Sequence, residues 1–163
     1  DKNMGMVGTY IAVENLLLSQ IINGDKDILE IDPAQCQTLN VDKSWRAIQY
    51  LLCNDVDGGE PPMGYVVPIR DENELDCEFD FDAFYITAKQ VKESSDYLNS
   101  LDDNTLMNMY DFELMEENKI YPLHGKENEA GIFYEYIYSY LSKIKNFFEL
   151  TAEKGYAIIF YIM

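Results

Sequence analysis

Basic side chains are scarce in this sequence. Twelve Lys and Arg stand against 30 Asp and Glu, for a formal net charge of −18, and Arg46 and Arg70 are the only arginines. A nucleic-acid binder needs a clustered basic face to displace counterions from phosphates, so no nucleic-acid partner is expected. The same field disfavours anionic membranes and polyphosphates, and steers basic proteins and peptides toward the surface. Histidine is confined to His124. Cysteine occurs at Cys36, Cys53 and Cys77, an odd number with no C-x-x-C pair. That usage suits buried thiols in a reducing, cytoplasmic setting. A zinc set of the three cysteines with His124 lacks a chelating pair of ligands, so neither metal nor cofactor is expected. No apolar run approaches the ~20 residues of a membrane span and no signal peptide is visible, so no membrane association is expected. Met4 to Thr9 fits a myristoylation pattern but reads better as the entry to a strand.

Core material is plentiful. Of 163 residues, 47% are hydrophobic and 13% aromatic, with 13 Tyr and 8 Phe. Residues Asp1, Lys2 and Asn3 read as an extension ahead of a start at Met4, which leaves one domain over 4–163. Val7 to Val13 is rich in β-formers and predicts a strand. Leu16, Leu17, Ile21 and Ile22 have helical spacing ahead of Gly24, and a short helix is expected from Lys26 to Ile31. Asp42 reads as the N-cap of a helix carrying Trp45, Ile48 and Leu52 on one face, with Gln49 at its edge. Tyr65 to Ile69 reads as a short edge strand because of Pro68. Thr87 caps a helix reaching about Leu101, and Asp102 or Asp103 caps another running through Met115. The longest helix is expected from about Lys126 to Lys154, ended by Gly155 in the C′ position. Its core stripe includes Ile132, Phe133, Ile137, Leu141, Ile144 and Phe148. Tyr156 to Met163 predicts a closing strand. The expected fold is α+β: a small mixed sheet that includes the first and last strands, packed against several helices.

One segment alternates strictly. Glu74, Asp76, Glu78, Asp80 and Asp82 interleave with Leu75, Cys77, Phe79, Phe81 and Ala83. The alternation predicts an edge-like strand with every carboxylate on one side and every apolar group on the other. Charges that close defend an edge against aggregation, or offer a docking face to a basic partner.

The run Leu39-Asn40-Val41-Asp42-Lys43-Ser44-Trp45, followed by Ile48 and Leu51-Leu52, resembles the YfbM-like family of uncharacterised bacterial proteins. The stretches 4–10, Gly59-Glu60-Pro61-Pro62 and Ile120-Tyr121-Pro122 resemble it too. The resemblance implies a compact α+β domain in a bacterial cytoplasm and supplies no catalytic set. It also implies a departure, since family members often carry His where this chain has Gln49.

No catalytic residues are singled out, and the chain leans away from being an enzyme. His124 lies in a turn, with no flanking nucleophile-elbow pattern around Ser44 or Cys53 to pair with it. Asp55 and Asp57 do not complete a calcium loop, because Cys53 and Gly64 occupy two ligand positions. Two functional expectations remain. In the first, this is a non-catalytic interaction protein, of inhibitor or immunity type, whose acidic face meets a basic protein partner. Its contact residues would be Glu74, Asp76, Glu78, Asp80 and Asp82. Tyr134 and Tyr138, off the core stripe of the last helix, would suit a further interface, including a homodimer. In the second, a small-molecule binder or hydrolase has its pocket at the helix start, using Asp42, Lys43, Ser44, Trp45 and Gln49 with Tyr121 and His124.

Overall fold

A computed structural model describes residues 6–76, 81–120 and 129–163. Its centre is a sheet in the order β2 (Thr38–Asn40), β1 (Gly8–Val13), β5 (Ala157–Ile162), β4 (Asp82–Ile86), β3 (Glu74–Leu75). Strand β1 (Gly8–Val13) pairs along its whole length with β5 (Ala157–Ile162), from Gly8 opposite Ile162 to Val13 opposite Ala157. The first and last strands thus lie side by side, as their shared apolar character predicts. Strand β4 (Asp82–Ile86) pairs with the other edge of β5, and β2 (Thr38–Asn40) and β3 (Glu74–Leu75) close the two sides. Every pairing among the described residues is antiparallel, where a mixed sheet was expected.

The two faces of the sheet carry different layers. One face presents Tyr10, Ala12, Ile86, Ile158, Phe160 and Ile162 to the larger core. Helices α2 (Trp45–Cys53), α4 (Ala88–Ser100) and α7 (Ala130–Lys154) cover it. On α7, Phe133, Ile137, Leu141, Ile144 and Phe148 point inward at helical spacing, whereas Ile132, expected in the stripe, is 68% exposed. The other face presents Ile11, Val13, Leu75, Ala83, Ala157 and Ile159 to a smaller cluster. Among the described residues, α1 (Asn15–Ile22) and two 3-10 turns at Ile28–Glu30 and Pro33–Gln35 cover it, through Leu18, Ile28 and Ile31.

Local chemistry sets several boundaries. Thr87 and Gln90 form a reciprocal capping box at the start of α4, satisfying two amides that the first turn leaves free. Asp102 caps α5 (Asp103–Met109) and Asp111 caps α6 (Phe112–Glu117), so the helix expected through Met115 is two. Gly155 ends α7 at φ +69°, a conformation that costs glycine little. The segment expected as an edge strand at Tyr65–Ile69 instead opens with the helical turn α3 (Met63–Val66).

Candidate functional site

The start of α2 is built differently from an aspartate-capped helix. Asp42 sits at φ +52°, before the helix, and its N–H donates to Asn40 Oδ1 at 2.7 Å. Ser44 is the N-cap, but its Oγ donates backward to the Val41 carbonyl at 2.6 Å, so no side chain caps α2. The Asp42 carboxylate accepts a 2.8 Å hydrogen bond from the Tyr136 hydroxyl, tying the entry of α2 to α7. Burial, and then the carboxylate beside it, hold that phenol in its protonated form well above its ordinary range. Trp45 is 2% exposed, with its indole N–H donating to the Met6 carbonyl and its ring edge-on to Phe160 at 6.5 Å. The indole that a pocket here would need is part of the core. Lys43 is half-buried, and Tyr121 and His124 lie outside the described residues.

Gln49 is buried one turn further along. Its Nε2 donates to the Gly58 carbonyl at 2.7 Å, while its Oε1 is enclosed without a hydrogen-bond partner. The loop it holds closes tightly over Cys53. A Cβ on Gly59 would stand 2.3 Å from Cys53 Sγ, and one on Gly64 would stand 2.0 Å from the Gly59 carbonyl oxygen. Beside this loop opens a polar cleft of about 320 Å³, with Asp55, Asp57, Glu60, Asp71 and Glu72 around Arg70. Arg70 is committed to Asn73 Oδ1 at 3.0 Å and stacks over Tyr65, and Asn73 in turn donates to the Tyr85 carbonyl. Burial and then the Asp55 charge push the Cys53 thiol up to about 11, so it is protonated at neutral pH and a poor nucleophile. Cys36 packs on the opposite face of the sheet, so the two sulfurs share no site.

The acidic alternation does not lie on one strand. Glu74 pairs with Phe84 and Leu75 with Ala83, so β3 and β4 form a hairpin. One step further, the same register would set Asp76 against Asp82, and like charges facing each other destabilise a ladder. The pairing stops there. Glu74 and Asp76 are exposed and Asp82 is half-buried, while Glu78 and Asp80 lie outside the described residues. Strand β3 is a two-residue strand at the sheet edge, exposed at Glu74.

Beside that hairpin the smaller layer leaves a face partly open. An apolar groove of about 220 Å³ is lined by Ile11 and Tyr161 from the sheet, by Phe81 just ahead of β4, and by Ile28, Leu29, Ile31 and Pro33 in and between the two 3-10 turns. Adjoining it through Ile28 is an acidic depression of about 290 Å³, where Asp25, Asp27, Glu30 and Asp76 stand with Lys26 among the described residues. Leu29 stands 57% exposed at this junction.

The tyrosines of α7 are partly covered. Tyr134 is half-buried against Tyr110 at 5.0 Å between ring centres, with its hydroxyl enclosed and unpartnered. Tyr138 is 37% exposed and donates to Asp103 at 2.9 Å. They are stacked 6.1 Å apart, so they form one surface with α5 rather than a bare helix face.

A family model described as a domain of unknown function, DUF1877, matches residues 4–161. The chain belongs to this family. The fold is also that of a solved structure: the crystal structure of YfbM from Escherichia coli, a protein of unknown function, superposes with a TM-score of 0.79. The two sequences are 20% identical, and the match covers 97% of this chain and 100% of YfbM. No curated protein matches. In this DUF1877 chain the groove and the acidic depression are the features that sequence reasoning missed. Their signals were faint: four acids between residues 25 and 32, and Ile28, Leu29 and Ile31 in a stretch too short to show a period. No helix among the described residues is long and apolar enough to cross a membrane.

Proposed function

We propose that this DUF1877 protein is a non-catalytic cytoplasmic interaction protein, of inhibitor or immunity type, that engages a basic protein partner through its acidic surface. The observation carrying this reading is the depression at Asp25, Asp27, Glu30 and Asp76, where four exposed carboxylates face one lysine beside an open apolar surface. Fields of that sign raise the encounter rate with basic proteins and repel nucleic acids and anionic membranes. The unpaired Cys36 and Cys53 thiols suit a reducing compartment. The small-molecule alternative loses support, because the Trp45 it requires is packed in the core. The test is affinity capture from the native host's lysate at low salt, comparing wild type with Asp25→Asn/Asp27→Asn/Glu30→Gln/Asp76→Asn. A basic protein held only by wild type and released by moderate salt supports the reading. Identical recovery by both proteins contradicts it.

A further inference from the structure

We propose that the groove lined by Ile11, Ile28, Leu29, Ile31, Phe81 and Tyr161 is the docking site for an amphipathic segment of that partner, one apolar anchor flanked by Lys or Arg. This rests on the interaction reading above and names its site. Three observations converge on it. The groove lies on the face of the sheet that, among the described residues, α1 and two short turns cover, while three helices cover the opposite face. Leu29, at its rim, places more than half of an apolar side chain in solvent. The adjoining depression shares Ile28 with the groove and presents Asp25, Asp27, Glu30 and Asp76.

Charge decides the occupant. A segment entering the groove with an apolar side chain must lay its neighbouring residues against four carboxylates and one lysine. Lys or Arg there gains Coulomb attraction, and Asp or Glu is repelled. A second copy of this chain, at −18, brings the wrong sign. The apolar anchor supplies burial and the basic flanks supply attraction, the pattern of a peptide laid into a groove.

Leu29→Asp separates the two contributions, because it removes apolar surface while adding negative charge. Fluorescence anisotropy at low salt would use a short labelled amphipathic peptide of Leu and Lys, beside a control with every Leu replaced by Gln. Proteins compared are wild type, Leu29→Asp, Leu29→Ser and the fourfold neutralised variant, each checked for native Trp45 fluorescence. The expected result is about tenfold weaker binding of the Leu/Lys peptide by both Leu29 variants, and a similar loss when Gln replaces Leu in the peptide. If Leu29→Asp binds as tightly as wild type or tighter, while the neutralised variant binds weakly, the groove is overturned and the acidic reading survives. If wild type does not bind at all, both fail. A wild-type dimer that Leu29→Asp dissociates would put a second copy in the groove and overturn the proposal.

Discussion

The contact between Asp42 and Tyr136 makes a prediction that an N-cap aspartate would not. Asp42 holds φ +52°, a conformation that Asp tolerates better than Ala. Its carboxylate is half-buried and accepts the Tyr136 hydroxyl at 2.8 Å. Asp42→Ala forces a left-handed alanine and removes a hydrogen bond to a charged group, for an expected loss of roughly 2–3 kcal/mol. Asp42→Gly restores the backbone freedom and keeps only the hydrogen-bond loss, about 1 kcal/mol. Tyr136→Phe should cost about 1 kcal/mol by itself, since water can replace the phenol at a half-exposed carboxylate. Because both changes remove the same interaction, the Asp42→Gly/Tyr136→Phe cycle should show a coupling of about 1 kcal/mol. Urea unfolding followed by Trp45 gives these values, because Trp45 is the only tryptophan and is 2% exposed. An aspartate capping α2 by itself would give no coupling to residue 136. A coupling below about 0.3 kcal/mol therefore refutes the geometry described for this turn.

Gly59→Ala should destabilise the fold by about 1–3 kcal/mol, because its Cβ would overlap Cys53 Sγ at 2.3 Å and Cys53 Cβ at 2.5 Å. Cys53→Ala should recover only part of that loss in the same urea assay, since the Cβ overlap remains; full recovery would contradict the packing. Stability should fall in alkali. Tyr110 is raised from 10.0 to about 12 and Cys53 from 9.0 to about 11, so each contributes fully below its unfolded value. The unfolded chain ionises first, and the contribution is lost as pH rises through the folded value. Melting temperature should hold up to about pH 9 and decline across about pH 9–12, and a flat profile there would count against the buried assignment of both groups. Native Cys53 should resist a thiol reagent at pH 8 that labels it rapidly in urea; equal rates in both conditions would show an accessible thiolate.

Local signals carried much of the architecture. Thr87, Asp102 and Gly155 act within one turn of themselves, and each stops or starts a helix where its chemistry requires. The terminal strands were visible because a dense apolar β run has few places to go except a sheet centre, and β1 and β5 lie at that centre. What failed was longer in range. Asp42 has the composition of a cap, but its partner stands 94 residues away, and no local pattern announces Tyr136. The acidic alternation has period two whether it runs along one strand or turns back in register. Residues 74–83 therefore could not distinguish a single strand from the hairpin that pairs Leu75 with Ala83. The groove was the least legible feature. Its walls come from β1 and β5, from the stretch of the two 3-10 turns and from Phe81 just ahead of β4, and only the fold brings them together.

The central claim is that acidic charge beside the groove recruits a basic partner. Its most direct test is the association rate of the Leu/Lys peptide, measured by stopped-flow fluorescence across ionic strength. Wild type should lose about tenfold in rate between low and high salt, while the fourfold neutralised variant should start slower and vary little. Rates for wild type that ignore salt, or that match the neutralised variant throughout, would contradict the account.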